Sequence, residues 1–289
     1  MTTATLVIGA TGTTGGRVAR LLTARGLRVK AASRRAVAVA GAEAVRFDWY
    51  DPGTFEESLR DADRVYLVPP VGAPEPAAVM LPFLEQARTA GVGRAVLLGS
   101  SAIPSGGPAV GQVQQALPGL FETWATLRPS WFMQNLTGDH PHARSVREHG
   151  TILTATGEGR VAFVDADDIA AVAVHALTAD RWTEGDLVVT GPQALSYADA
   201  AAVLSEVTGR PVTHRRLTGE QLRDRLARDM PPEFAAILAG LDRAIAEGAE
   251  DRVTDTVERL TGRPPRSFRA HVERASRRAV DRARRPTAT

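Results

Sequence analysis

The sequence predicts an α/β protein built on a doubly wound parallel sheet, and three observations carry that expectation. Short apolar, strand-like runs alternate with helical stretches of about 10–15 residues through the first two-thirds of the chain. A glycine-rich turn, GATGTTGG, stands at the first strand-to-helix junction. A smaller, mostly helical portion follows, with no repeat and no low-complexity linker.

Taken in order, TLVIGA reads as a buried strand, GGRVARLLTARG as a helix closed at Gly26, and LRVKAASRR as a second strand. AEAVRFDW is a third strand, PGTFEESLRDA an amphipathic helix, and RVYLVPP a fourth strand. The helix AAVMLPFLEQARTAG, the strand RAVLLGSS, a helical stretch around VGQVQQAL and the strand WATLRPS complete the regular part. Parallel strands joined in this way require right-handed crossovers, which makes the sheet of the Rossmann type. After LRPSWFMQNL the pattern loosens into TGDHPHARSVREHG, read here as an exposed loop. A strand and helix resume in GRVAFVDADDIAAVAVHAL, and GDLVVTG is the last strand of the sheet. From SYADAAAVLSEVTGRPV onward the chain is mainly helical, and PVTHRRL is its one strand-like run. The expected division is 1–136 with 162–192 as an NAD(P)-binding Rossmann domain, and 137–161 with 193–289 as a substrate-binding lobe.

Composition narrows the class. With 44% hydrophobic and 24% charged residues, the 289-residue chain has the makeup of a globular protein, not of a disordered one. The absence of cysteine excludes disulfides, thiolate metal sites and a cysteine nucleophile together. MTTATLVIGA has no basic stretch ahead of its apolar run, and no apolar run approaches the ~20 residues of a membrane helix. A cytoplasmic protein is expected, with no membrane partner. The formal charge is only +2, Lys30 is the sole lysine, and arginines crowd RASRRAVDRARRPTAT. Without a basic face bearing aromatics or a reading motif, that run is expected to be a solvated terminal helix and not a nucleic-acid contact. The expected partner is a small-molecule substrate, and the expected state a monomer or homodimer.

Glycine costs roughly 0.5–1 kcal/mol in an element interior relative to alanine, so a glycine cluster at one turn asks for a reason. At the C-terminal end of a parallel strand, where a helix begins, unpaired N–H groups and the helix dipole attract phosphate. There Gly9 would permit the tight turn, Gly12 the approach of a pyrophosphate, and Gly15 close packing of helix on strand. Thr11, Thr13 and Thr14 add hydroxyl groups. A linker does not sit between two strongly periodic segments, and a P-loop would need a Lys followed by Ser or Thr. The second strand ends in Ser33-Arg34-Arg35, with no acid until Glu43. An acid there would bind the ribose of NAD, whereas guanidinium suits the 2′-phosphate of NADP. NADP(H) is therefore the expected cofactor. Asp48 and Trp49 end the third strand, where they would either meet an adenine or, for Asp48, cap the next helix.

These motifs resemble the NmrA-like branch of the atypical short-chain dehydrogenases/reductases along nearly the whole chain. The carrying residues are GATGTTGG, ASRR, FDWYDPGTFEESLRDADRVYLVPP and LRPSWFMQNL. FVDADDIAAVAVHAL, VVTGPQALSYADAAAVLSEVTGR and TGRPPRSFRAHV resemble in particular the ergot-alkaloid-type reductases, those like agroclavine dehydrogenase and festuclavine synthase. The resemblance implies that Val68, Pro69, Pro70, Gly99, Ser100 and Ser101 line the ribose and nicotinamide, and that Pro129 sits against the nicotinamide. It implies that Trp131, Phe132, Met133 and Asn135 face the substrate, core packing being the alternative for Trp131, Phe132 and Met133.

The Tyr-x-x-x-Lys pair of carbonyl reductases in the wider superfamily is missing. The tyrosines are Tyr50, Tyr66 and Tyr197, none in the helix after the fifth strand, and PAVGQ places Pro108 and Gln112 at the two positions. Hydride addition to a ketone builds negative charge on oxygen and needs an acid or an oxyanion hole. Addition to an iminium ion neutralises a charge already present, and an enone or quinone spreads the new charge by resonance. Substitutes for the acid are few: Ser101, Gln112, His140 and His142. His175, Asp165 and Asp168 read as structural, Asp168 capping its helix or tying it to the sheet. Asp139, His140 and His142 lack metal-ligand spacing, so no metal is expected. LGSSAI is no hydrolase elbow. The expectation is an NADPH-dependent reductase of an iminium, enone or quinone. The alternatives are a redox-sensing regulator or scaffold that binds NADP(H) without turnover, and a non-redox cyclisation or coupling on the same fold.

Overall fold

The computed structural model describes residues 3–182 and 185–284. The chain runs β1 (Ala4–Ile8), α1 (Gly15–Ala24), β2 (Val29–Ser33), β3 (Glu43–Arg46), a 3-10 turn at Pro52–Thr54 and α2 (Phe55–Leu59). It continues through β4 (Ala62–Leu67), α3 (Ala77–Thr89), β5 (Arg94–Leu98), α4 (Gly111–Leu120) and β6 (Thr123–Pro129). Next come α5 (Gln134–Thr137), α6 (Pro141–His149), β7 (Thr151–Thr154), β8 (Arg160–Val161), α7 (Ala166–Thr178) and β9 (Asp186–Val189). The last elements are β10 (Leu195–Ser196), α8 (Tyr197–Thr208), β11 (Thr213–Arg216), α9 (Gly219–Leu226), α10 (Pro232–Ala246), α11 (Thr256–Thr261) and α12 (Phe268–Arg284). Two compact units result. The first holds 1–129, 166–189 and 256–263, and the second holds 130–165, 190–255 and 264–289.

The first unit is a seven-stranded parallel sheet of order β3-β2-β1-β4-β5-β6-β9. Successive residues of a strand face opposite sides, and both sides are buried. Leu6, Ile8, Val65, Leu67, Ala95 and Leu97 share one core with Met80, Phe83 and Leu84 of α3 and Val113 and Leu117 of α4. Val7, Ala31, Tyr66 and Val96 point the other way, toward the side covered by α1 and α7, and all four are fully buried. Burial on both faces explains why the strands read as continuous apolar runs instead of alternating ones. Beside β3 the first core closes on an aromatic cluster. Phe47 stacks on Phe55 at 5.5 Å between ring centres, while Phe83 meets Phe47, Trp49 and Phe55 edge-on at 5.1, 5.3 and 5.1 Å.

The second unit departs from the expected loop. TGDHPHARSVREHG holds the helix α6, which starts with Pro141 at its first position and His140 as its cap, Nδ1 accepting the His142 N–H at 3.2 Å. It ends at Gly150 with φ +61°. Pro at the start and glycine just past the end are ordinary helix punctuation, but the segment has little apolar content. β7 follows directly and pairs in parallel with β11, Ile152 opposite His214, so a strand with no counterpart in the sequence reading is stabilised by a partner about 60 residues away. α8 carries a reciprocal Ser196–Asp199 capping box.

Unit boundaries differ from 1–136 and 162–192 at four places. Residues 130–136, 162–165 and 190–192 belong to the second unit, and α11, from the C-terminal part of the chain, belongs to the first. Thr256 Oγ1 donates to the Val188 carbonyl at 2.8 Å, and Arg263 pairs at 2.7 Å with the fully buried Asp168. Asp168 thus ties α7 to the stretch just after α11. The arginine-rich terminal run continues α12 to Arg284, and 285–289 lie outside the described residues.

Phe83 is wholly buried at the centre of the aromatic cluster. Phe83→Ala is expected to cost about 3–5 kcal/mol, read as a lower urea midpoint at unchanged slope; Phe83→Leu should cost less than half as much.

Candidate functional site

β1 lies where the winding reverses, with β2 on one side and β4 on the other. A parallel sheet leaves its ligand crevice at that switch point, beyond the C-terminal strand ends. The pocket found there measures about 460 Å³. Its walls come from four strand ends: Ile8, Gly9, Thr11 and Gly12 after β1; Ala32, Ser33 and Arg34 after β2; Phe47 to Tyr50 after β3; Val68 to Val71 after β4.

Gly9 has φ +72°, a conformation open to glycine at little cost, and an added Cβ would lie 3.1 Å from Val68 Cβ. A Cβ on Gly15 would drive into the Gly9 carbonyl, 2.7 Å from its carbon. Helix and strand therefore meet backbone to backbone. Among the described residues no acceptor takes the N–H groups of Thr11, Thr13 or Thr14. These free donors at the start of α1 fit a pyrophosphate. Arg17 braces the turn, donating from Nη1 to the Thr13 carbonyl and from Nε to Asp167, each at 2.5 Å. The sequence reading missed Arg17, since an arginine one turn into a helix carries no signal of its own.

Arg34 and Arg35 are exposed and have no ion-pair partner among the described residues, whereas nearby Arg28 and Arg46 pair with Glu43 and Asp51. Only Arg34 of the two lines the pocket. Ser33 Oγ accepts the Val37 N–H at 3.1 Å, shaping the loop that carries both. Trp49 belongs to the core, 8% exposed with its Nε1 donating to the Val68 carbonyl at 3.0 Å, and it also lines the pocket. Asp48 Oδ1 accepts the Tyr50 N–H at 3.1 Å, a turn role and not a helix cap. Tyr50, 66% exposed, and Val71, 99% exposed, stand at the pocket beside residues that were expected there. Neither belongs to a motif that marks it in the sequence.

Gly99, Ser100 and Ser101 follow β5, outside that pocket. Arg128 holds them, donating to the carbonyls of Ser100 (3.2 Å) and Ser101 (2.9 Å) and pairing with Asp186 at 2.9 Å. The Ser101 N–H donates to the carbonyl of Pro129, which is buried. Ser101 is only 4% exposed, and Gln112 is exposed on the surface of α4, so neither is set up as an acid.

In the second unit Met133 is 1% exposed and belongs to the core with Leu136 and Phe163, correcting its substrate-facing assignment. Trp131, Phe132 and Asn135 each keep part of their surface open. Backbone bonds of 2.9 Å from Val164 to the Trp131 carbonyl and from Met133 to the Val164 carbonyl hold the segment. His140 and His142 are partly buried, not loop residues in water. Burial pushes the His142 imidazole down to about 4 and His140 below its usual value as well. Rings of His142 and His214 lie 6.1 and 5.8 Å from Tyr197, whose hydroxyl is pushed up by burial. Both imidazoles are thus poor acids at neutral pH. Tyr66 is also buried and pushed up, and Lys30 donates from Nζ to the carbonyls of Glu57 (2.6 Å) and Arg60 (3.0 Å). No tyrosine–lysine dyad forms among the described residues.

A Gly-turn switch-point crevice with free N–H donors defines a dinucleotide-binding oxidoreductase, and the chain belongs to the NAD(P)H-binding family, whose model matches residues 9–180. Its relatives along nearly the whole chain carry the names oxidoreductase, festuclavine synthase and agroclavine dehydrogenase. It is 44% identical to the oxidoreductase YesF of Bacillus subtilis over 91% of this chain and 92% of that one. It is 36% identical to festuclavine synthase II of Penicillium roqueforti, over 93% and 96% of the two chains. The quinone oxidoreductase QOR2 of Escherichia coli, solved with NADPH, shares the fold with a TM-score of 0.79 at 21% identity, covering 94% of this chain and 99% of that one.

Gly15→Ala is expected to weaken NAD(P)H binding at least about tenfold, because the turn must open to admit the methyl group; calorimetry reads it. A second expectation concerns Asp242, whose carboxyl burial pushes up to about 6 while its Oδ2 accepts the Ala155 N–H at 2.7 Å. A carboxyl with a raised folded-state pKa binds protons more tightly when folded, so its contribution is lost as pH rises from about 4 to 6. Asp242→Asn should raise stability at pH 7 by about 1–3 kcal/mol and leave it unchanged below pH 4, as measured by urea unfolding across pH.

Proposed function

We propose that the protein is an NADPH-dependent reductase that delivers hydride to a C=N bond, a conjugated C=C bond or a quinone in a small cyclic or aromatic molecule. The observation that carries this reading is a cofactor pocket ended by an unpaired arginine, with no tyrosine–lysine dyad among the described residues. Arg34 supplies a charge for a 2′-phosphate, where an acidic residue would select the free hydroxyl. Gly9, Gly12 and the N–H groups of Thr11, Thr13 and Thr14 hold the pyrophosphate, with Gly15 allowing α1 to close on β1. When bound, NADPH supplies the hydride. Val68, Pro69 and Pro70 after β4, Gly99 and Ser100 after β5, and Pro129 at the end of β6 line the path toward the nicotinamide. Trp131, Phe132 and Asn135 face the substrate, orienting it and excluding water. Substrates whose accepting atom already bears positive charge, or delocalises the new negative charge, need no acid from the protein. Relatives named festuclavine synthase, agroclavine dehydrogenase and NAD(P)H azoreductase support a reducible, nitrogen-containing or conjugated substrate. In this reading the first unit, 1–129 with 166–189 and 256–263, binds the cofactor and the second unit binds the substrate, in a cytoplasmic monomer or homodimer.

Parallel calorimetric titrations with NADPH, NADP⁺, NADH and NAD⁺ test the cofactor reading, and NADPH oxidation with iminium, enone and quinone substrates tests turnover. Arg34→Ala is expected to weaken NADPH binding about 10–100-fold, the worth of a charge-assisted phosphate contact, and to change NADH binding less than about twofold. Equal losses for both nucleotides would remove the phosphate role. Selective NADPH binding with no turnover of any of the three classes would favour the regulator over the reductase.

A further inference from the structure

The fully buried carboxylate of Asp165 lies immediately after Val164, the residue whose backbone pairs with Trp131 and Met133. Three side chains from α5 and the C-terminal segment meet on it, and a fourth lies behind one of them. Arg266 forms an ion pair with Oδ2, His271 Nδ1 lies 3.0 Å from the same oxygen, and Gln134 Nε2 donates to Oδ1 at 2.9 Å. His271 Nε2 in turn lies 2.8 Å from Thr137 Oγ1. With Nδ1 facing a carboxylate oxygen, that nitrogen carries the proton, and Nε2 faces the threonine hydroxyl.

Gln134 and Thr137 are the first and last residues of α5. A helix of one turn is not stable through its own hydrogen bonds, because nucleation fixes several residues for a single bond. Here its first residue is fastened directly to Asp165, and its last through the His271 imidazole. The preceding residues are fastened to Val164 by the backbone. A buried ion pair is a poor device for stability alone, since apolar residues of similar volume do as well or better. What it adds is direction: each bond fixes an angle as well as a distance.

We propose that Asp165 is a positioning residue for substrate, a clamp through which Arg266 and His271 of the C-terminal segment set the pose of Trp131, Phe132 and Asn135. The inference rests on the reading of 131–135 as the substrate turn. Asp165 touches no substrate itself; it acts through Gln134 and, by way of His271, through Thr137.

Gln134→Met tests it without stranding the buried charge, since Arg266 and His271 remain on Asp165. Hydrogen exchange of the full-length protein, free of ligand, should show about tenfold faster exchange confined to 133–138, the effect of losing one hydrogen bond on local opening. His271→Asn keeps a donor for Asp165 and drops the Thr137 contact, so it should loosen 136–138 and spare 133–134. With menadione as quinone probe, Gln134→Met and Trp131→Ala should each raise KM about five- to tenfold while the calorimetric NADPH affinity stays as in the unaltered protein. Unchanged exchange at 133–138 in Gln134→Met overturns the clamp. So does a raised KM in Trp131→Ala but not in Gln134→Met. Loosened exchange with neither variant changing KM overturns the reading of 131–135 as the substrate turn, and the proposal with it. A general loss of folding would instead lower kcat and melting temperature together at constant KM, which also counts against positioning.

Discussion

Everything at the cofactor end depends on one constraint: a parallel sheet points all its strands' C-terminal ends the same way, and the winding reverses at β1. The loops after β1, β2, β3 and β4 are thereby gathered around one pocket, although they span residues 8 to 71. The glycine turn works only in that setting. Gly9 with φ +72° and Gly15 against the Gly9 carbonyl bring α1 close enough for its free N–H groups to face the crevice. Elsewhere the same residues would be a costly loop. Arg17 and Asp167 then stiffen the turn from α1 and α7.

Charge compensation separates structural from functional arginines. Most arginines with a described environment are engaged: Arg64 with Asp63, Arg128 with Asp186, Arg263 with Asp168 and Arg266 with Asp165. Arg34 and Arg35 are left unpaired at the end of β2. Exposed guanidinium groups are common in so arginine-rich a chain, so position decides the matter, and Arg34 alone of the two meets the pocket. The buried pairs follow another logic. Asp165 and Asp168 hold chain segments that are distant in sequence but adjacent in space, and each receives its arginine from the stretch 263–266.

The chemistry is defined as much by what is withheld. Tyr66 and Tyr197 are sealed and held protonated, Lys30 is consumed by two backbone carbonyls, and His142 is held neutral. These four groups are assigned to packing and backbone bonding. The proposed direct hydride transfer to an already activated acceptor asks for none of these groups as an acid.

The sequence by itself determined the sheet, the order of its βα units, the glycine turn and the arginine end of β2. These depend on local periodicity, glycine placement and residue type, which need no tertiary partner to be read. It also made the absence of the Tyr-x-x-x-Lys pair plain, because that pattern is local. Only the tertiary structure decided the rest. β7 exists through pairing with β11, α6 through a histidine cap and packing, and α11 joins the sheet unit through Thr256 and Arg263. Trp49 and Met133 turned inward because neighbouring elements cover them, whereas Tyr50 and Val71 remained outside at the pocket. The convergence of Gln134, Arg266 and His271 on Asp165 joins residues more than 100 positions apart, and no local pattern encodes such a meeting. Burial and partner choice are properties of the packed chain, set by non-local contacts that form only when the elements assemble.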